Sequence, residues 1–323
     1  MIVVAVAACV GATVRYAYAQ LSTWGSYVLF AHDLRKLSST SPSGIESNIV
    51  FDAPYRGATF SLVVPVDSSY LAAARRVDGS ALFGFNRSVR AAALRALAEE
   101  QRTDPFVNAL ASRLRMLRAQ LRLSDDDYVD LMVRSVQAIP YGTLHRDTFM
   151  PAITLADNAG VCSDKSVLLA TLLAHEGFDS GVWVFPSQAH AAVALRGTGP
   201  GLRGSGYGLV ETTRLTYVGE VDESLRAAGP VCEEPQLIVL GGRERYTRDL
   251  QTEFIADTLE RARGPRQLIP LPGQDEVAGV APEIGATEPA GNTSQASLAA
   301  WIDSRRDWPE STFAALVATG LDH

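Results

Sequence analysis

The sequence predicts an α+β fold, because its strand-like and helix-like segments fall into separate blocks instead of alternating along the chain. Two runs rich in β-branched and aromatic residues lie between Asn48 and Val66, and segments with helical periodicity fill residues 104–139. Four further strand-like runs follow an apolar helix and begin at Gly181, His190, Gly206 and Gln236.

The first block predicts a hairpin or an edge pair of strands. Its two runs are separated by Pro54, Arg56 and Gly57, which are residues typical of a turn. A small β element is therefore expected ahead of the main helices.

Two helices are predicted from their capping residues. Asp104 followed by Pro105 supplies an N-cap and a first-turn proline, and apolar residues recur behind them at helical spacing. Ser124 followed by three aspartates marks a second start, because carboxylates stabilise the positive end of the helix dipole. Pro140 ends this second helix.

The size and charge of the chain limit the functions that it can have. Its 323 residues are about twice the length of a typical domain, and a hydrophobic fraction of 47% excludes a wholly disordered chain. A net charge of -7 gives no electrostatic footprint for nucleic acid, so no such partner is predicted. Cys9, Cys162 and Cys232 form no CxxC or His-rich cluster, so neither a metal site nor a cofactor is predicted.

The N-terminus carries an apolar run from Ile2 to Val14, which is too short for a comfortable membrane span. Ala17 and Ala19 form an A-x-A-like cleavage site behind it. Residues 1–19 are therefore predicted to be a signal peptide or membrane anchor, which makes the protein exported or membrane-associated. The alternative is a buried first strand of a cytoplasmic protein.

The remainder of the chain divides by composition. The run from residue 264 to 296 is rich in Pro, Gly, Ala and acidic residues without periodicity, which predicts a flexible linker. The predicted units are residues 20–120 as an N-terminal β and helical region, 121–245 as the domain that carries the chemistry, 246–263 as a helical extension, 264–296 as the linker and 297–323 as a C-terminal helical segment.

Cys162 stands where a loop turns into a helix that is apolar almost all round and that Gly177 ends. Unpaired amides and the helix dipole at such a start stabilise a thiolate, which predicts a nucleophile. Asp164 is expected to cap this helix. The alternative is that Cys162 is a small buried apolar residue.

The order of residues downstream favours the nucleophile. His190 begins the second of the later strand-like runs, and Glu211 lies near the end of the third. Adjacent antiparallel strands can bring both side chains towards the end of the helix, as a Cys-His-carboxylate triad requires.

Three blocks in this region, GVCSDKSVLLATLLAHEGFDSGVWVF, QAHAAVAL and GYGLVETT, resemble the transglutaminase-like superfamily of papain-related cysteine enzymes. The upstream block DLMVRSVQAIPYG is similar to the helix that precedes the catalytic loop in microbial members. The resemblance covers roughly residues 121–220, about a third of the chain, and leaves the flanking regions unexplained.

The resemblance implies a papain-like core with the nucleophile at the start of a central helix packed on an antiparallel sheet. It makes Cys162 the nucleophile, His190 the base and Glu211 the orienting acid, where the family has Asp. It also implies an oxyanion site built from the amide of the cysteine and a second donor, for which Gln137 is a candidate. Gln137 can equally be a polar residue at a helix end.

The function that follows is acyl transfer from a peptide or amide through a thioester on Cys162, with a protein or peptide as substrate. Hydrolysis is preferred over transfer to an amine, because nothing in the sequence specifies an amine-binding site. The alternative is a non-catalytic cell-envelope scaffold or interaction protein that keeps the fold. The glutamate at the acid position and the unexplained flanks favour this alternative, whereas the intact Cys and His oppose it.

Overall fold

The structure is a computed structural model that describes residues 25–41, 43–77, 79, 87–142, 150–220 and 235–248. In this part the chain combines helices with two antiparallel sheets. The helices are α1 (25–38), α2 (Ser68–Ala74), α3 (Arg87–Arg102), α4 (Pro105–Leu121), α5 (Asp125–Ala138), α6 (Pro151–Ala156) and α7 (Cys162–His175). The strands are β1 (Glu46–Tyr55), β2 (Ala58–Asp67), β3 (Ser180–Phe185), β4 (His190–Arg196), β5 (Tyr207–Val210) and β6 (Gln236–Gly241).

Strands β1 and β2 form the predicted hairpin, but the strands are longer than the sequence indicated. Pro54 was expected in the turn and instead lies inside β1, opposite Thr59. Proline is tolerated there because a strand of a two-stranded sheet has one edge without a hydrogen-bonding partner. Arg56 and Gly57 make the turn with φ of 47° and 76°, the left-handed conformation that two-residue hairpin turns use.

The four later strand-like runs are confirmed as strands of one antiparallel sheet, in the order β5-β4-β3-β6. Strand β3 pairs with β4 and β6, so the last strand joins beside the first rather than beside β5. Helix α7 packs on β3 and β4. This packing places the start of α7 close to the start of β4 and the end of β5.

The predicted helix boundaries are confirmed where capping chemistry defined them. The Val107 amide donates to Asp104 Oδ1 at 3.0 Å at the start of α4, and the Asp127 amide donates to Ser124 Oγ at 3.2 Å at the start of α5. Helix α5 ends at Ala138, ahead of the proline.

A single cluster of buried apolar residues connects the two sheets and the helices. It contains side chains from the predicted N-terminal region, such as Leu62 and Leu97, together with side chains of the later part, such as Leu169 and Val193. Residues on both sides of position 120 therefore share one core.

Several predicted segments lie outside the described residues. These are residues 1–19, the linker 264–296, the C-terminal segment 297–323 and, apart from residues 246–248, the helical extension 246–263. Residues 246–248 are not helical. Among the described helices, none combines the length and the apolar character of a membrane span.

Candidate active site

Cys162 is the first residue of α7, as the sequence predicted. Val161 before it is extended, with φ of -84° and ψ of 178°, so the chain turns into the helix at the thiol. The Val161 amide donates to Asp164 Oδ2 at 3.3 Å, which confirms that Asp164 caps the helix. The thiol itself is buried, with 8% of Cys162 exposed, and Sγ lies 3.9 Å from the Ala189 carbonyl oxygen.

His190 is the first residue of β4, and Glu211 directly follows the end of β5, which pairs with β4. His190 Nε2 lies 2.8 Å from Glu211 Oε2, within hydrogen-bond distance. The imidazole also packs against Phe185, its cross-strand neighbour on β3, with 6.1 Å between the ring centroids. The ring is thus held by a carboxylate and by an aromatic wall.

Glu211 is almost fully buried, and its second oxygen is satisfied by its own loop. Oε1 accepts hydrogen bonds from the Thr212 amide at 2.8 Å, the Thr213 amide at 2.9 Å and Thr213 Oγ1 at 2.8 Å. The longer side chain of glutamate thereby reaches His190 with one oxygen while the other oxygen is anchored at the start of the loop. Carboxylates that accept several such bonds stay ionised.

His190 and Glu211 shift each other's pKa in opposite directions. Burial works to lower the pKa of His190, but hydrogen bonds to Cys162 and Glu211 and their negative charges outweigh burial and raise it to about 9. Burial works to raise the pKa of Glu211, but the His190 ring and the bonds from Thr213 lower it to about 2. At neutral pH the site therefore favours an imidazolium held by a carboxylate.

The structure brings Cys162, His190 and Glu211 together in one contiguous group. Cys162 and Glu211 both raise the pKa of His190, and Glu211 Oε2 lies 2.8 Å from Nε2, so that Nδ1 is the ring nitrogen left for the sulfur. The backbone N–H of Cys162 is one of the unpaired amides at the start of α7, and no acceptor among the described residues binds it. A developing oxyanion beside Sγ can use this donor.

The side-chain amide of Gln137 binds the segment that follows β5. Gln137 is 4% exposed, and its Nε2 donates to the carbonyl oxygens of Glu211 at 2.8 Å and Thr216 at 3.0 Å. The amide hydrogens are therefore directed at the loop that carries the acid, and the structure does not bring Gln137 to Cys162 as an oxyanion donor.

Two further residues of α7 belong to the site, although no sequence pattern predicted either. Ser166 Oγ donates to the Ala191 carbonyl at 3.2 Å and lies 3.2 Å from Thr212 Oγ1, which ties the helix to β4 and to the loop after β5. Lys165 is fully buried and donates to the end of α5. A lysine in the first turn of a helix that is buried on most sides is the signal that identifies it.

Among the described residues, no group of three or more His, Cys, Asp or Glu side chains is placed to hold a metal ion. Comparison of the chain with models of known protein families, with curated proteins and with solved structures found no match in any of the three.

Proposed function

We propose that the protein is a transglutaminase-like cysteine enzyme that cleaves peptide or amide bonds through a thioester on Cys162. The observation that carries this proposal is the position of His190, whose Nε2 lies 2.8 Å from Glu211 Oε2. The carbonyl oxygen of the preceding residue, Ala189, lies 3.9 Å from Cys162 Sγ. The start of α7 against the antiparallel sheet supports a papain-like arrangement of this core.

In the proposed reaction the thiolate of Cys162 attacks the carbonyl carbon of the substrate, and the carbonyl π electrons move to the oxygen. The Cys162 amide stabilises this oxyanion. When the oxyanion collapses, the C–N bond breaks and the imidazolium of His190 gives its proton to the leaving amine. The acyl group is then held as a thioester.

Water resolves the thioester in the second half of the reaction. Neutral His190 takes a proton from the attacking water, and the C–S bond breaks to release a carboxylic acid and regenerate the thiolate. Glu211 keeps the ring oriented and stabilises each imidazolium that forms. We prefer water over an amine as acceptor, because no feature of the described site provides an amine-binding group.

The proposal is tested by comparing the wild-type protein with Cys162→Ala on a library of unlabelled peptides, with and without a tagged alkyl amine. Mass spectrometry should find new peptide termini that wild type produces and Cys162→Ala does not, with rates lower by about 10³-fold or more in the variant. Amine incorporation in place of new termini would make the enzyme a transferase. Equal product formation by the two proteins would remove Cys162 from the chemistry.

A further inference from the structure

Lys165 is one of two lysines in the chain, and its side chain is completely buried. It lies on α7 one turn after Cys162, in the first half of the helix. Its Nζ donates to the Ile139 carbonyl at 2.6 Å and to the Gln137 carbonyl at 3.1 Å. These two carbonyls belong to the end of α5, where backbone oxygens lack helical partners and the helix dipole is negative.

Burial of an ammonium requires compensation, because an isolated charge is strongly disfavoured away from water. The two carbonyl oxygens supply part of this compensation. Burial lowers the pKa of Lys165 to about 8, although the negative charge of Glu211 works to raise it. The charge of Glu211 thus favours the ammonium form of Lys165.

A second connection runs from Lys165 to Glu211 through Gln137. The backbone carbonyl of Gln137 accepts from Lys165, and the side-chain amide of the same residue donates to the carbonyl oxygens of Glu211 and Thr216. The segment between Glu211 and Thr216 includes the two threonines that hold the Glu211 carboxylate. The end of α5 thus supports the loop from which the acid reaches His190.

We propose that Lys165 is a positioning residue of the Cys162-His190-Glu211 site. Its ammonium fixes the end of α5 against the start of α7, and Gln137 transmits this position to the loop that holds Glu211 on His190. The inference rests on the proposed function and adds to it a buried cation that touches neither the thiol nor the substrate.

The experiment follows the alkylation of Cys162 by iodoacetamide between pH 5 and 9, read by peptide-resolved mass spectrometry on the full chain, and needs no substrate. An ordinary thiol is about 0.3% ionised at pH 6. We expect wild-type Cys162 to react at pH 6 at least tenfold faster than in urea-denatured protein. Lys165→Met should lower the alkylation rate of Cys162 at pH 6 at least tenfold, because Glu211 no longer holds the imidazolium in place.

The matched control is Lys36→Met, which removes the other, exposed lysine and should leave the alkylation profile at the wild-type level. An unchanged profile in folded Lys165→Met, with only a lower urea midpoint, would reduce Lys165 to a structural residue and overturn the inference, while the proposed function would stand. Wild-type Cys162 that reacts no faster than the denatured protein would overturn both.

Gln137→Leu supplies an independent test of the connection, and its single-variant readout does not require Lys165→Met to fold. This variant keeps both backbone carbonyls for Lys165 and removes only the amide that holds the loop. It should lower the alkylation rate at pH 6 at least tenfold, and the two substitutions combined should lower it little further, because they interrupt the same connection. A wild-type profile in Gln137→Leu, or multiplicative effects in the double variant, would contradict the inference.

Discussion

The hairpin and the four-stranded sheet bury their residues in different ways. Along β1 burial alternates, so Phe51 is buried while Val50 beside it is 60% exposed. Along β3 every residue is buried, because α7 covers one face and an apolar cluster with Trp183 and Phe185 occupies the other. The hairpin is thus a surface element with one solvated face, whereas β3 in the second sheet is buried on both faces.

The difference explains where the polar chemistry of the molecule collects. A buried polar group without a partner costs about 1–3 kcal/mol, and Ser180 and Glu211, both buried in or beside the strands of the second sheet, have partners. Ser180 Oγ donates to the Ala170 carbonyl at 2.9 Å, and the oxygens of Glu211 receive hydrogen bonds from His190 and its own loop. The same low-dielectric surroundings that require these partners also strengthen the charges of the candidate site.

The largest effect is expected from substitution of Glu211, the buried carboxylate that follows β5. Glu211→Gln should keep the fold but lower the rate of peptide cleavage by on the order of 10²- to 10⁴-fold, because the ring loses the charge that stabilises its imidazolium. Glu211→Asp should also be slower than wild type, because a carboxylate retracted by about 1.5 Å cannot bind both His190 and the Thr213 amide.

The matched control for these variants is Glu46→Gln, an exposed glutamate of the hairpin whose loss should leave the rate unchanged. Rates for both Glu211 variants equal to the control would leave a Cys162-His190 dyad and remove the acid from the site.

The next effect concerns the backbone of the second sheet. A Cβ added at Gly181 on β3 would lie 2.3 Å from the Ile238 carbonyl oxygen on β6, whereas one added at Gly208 on β5 would meet nothing closer than 3.7 Å. Gly181→Ala should therefore lower the free energy of unfolding by about 2 kcal/mol, as overpacking does, and Gly208→Ala should change it far less. Urea unfolding midpoints measure both, and equal midpoints would contradict the close approach of β3 and β6.

A smaller effect is expected in the pH dependence of stability. The pKa of His190 is raised to about 9 in the folded protein, so protonation of His190 stabilises the fold. This contribution is complete at pH values below the unfolded pKa of about 6.5, and it is lost as pH rises through 9. The pKa of Glu211 is lowered to about 2 in the folded protein, so ionisation of Glu211 stabilises the fold. This contribution is complete at pH values above the ordinary pKa of 4.5, and it is lost as pH falls through 2. The pair thus stabilises most between these two ordinary values.

This pH dependence is measured as the difference in unfolding free energy between wild type and Glu211→Gln from pH 5 to 10. The difference should shrink from pH 7 to 10, as the imidazolium is lost. A difference that is constant across this range would show that the pair does not titrate as a unit.

The smallest effect is expected on the solvated face of the hairpin. Val50→Thr should change the free energy of unfolding by less than about 0.5 kcal/mol, since the side chain faces water. Val64→Thr places the same hydroxyl on the buried face and should cost about 1–3 kcal/mol. Chemical denaturation of the two variants compares the faces directly, and equal costs would refute a one-sided hairpin.

Local signals made much of this architecture predictable. Asp104, Ser124, Pro140 and Gly177 mark helix ends by chemistry that acts within a few residues, and the structure places the ends there. The order of Cys162, His190 and Glu211 also suggested their meeting, since neighbouring antiparallel strands are connected by short loops.

What the sequence did not predict depends on partners far apart along the chain. The pairing of β6 with β3 is one case, because the apolar pattern of a strand does not indicate which other strand pairs with it. Lys165 is another, because its burial is understood only once the carbonyls at the end of α5 lie against it. Gln137 was considered for its side chain as an oxyanion donor, whereas its contacts are with backbone oxygens of a loop more than seventy residues away.

The burial of Lys165 also gives the native protein an internal reporter of its own opening. A lysine-specific protease has two side chains to recognise in this sequence, exposed Lys36 in the last turn of α1 and Lys165 inside α7. Cutting after Lys165 requires α7 to unfold, so the rate of that cut follows the population of molecules in which the helix is open. The fragments from the two cuts differ in length, and their ratio on a gel compares the opening of the helix that carries the thiol with fraying at the surface.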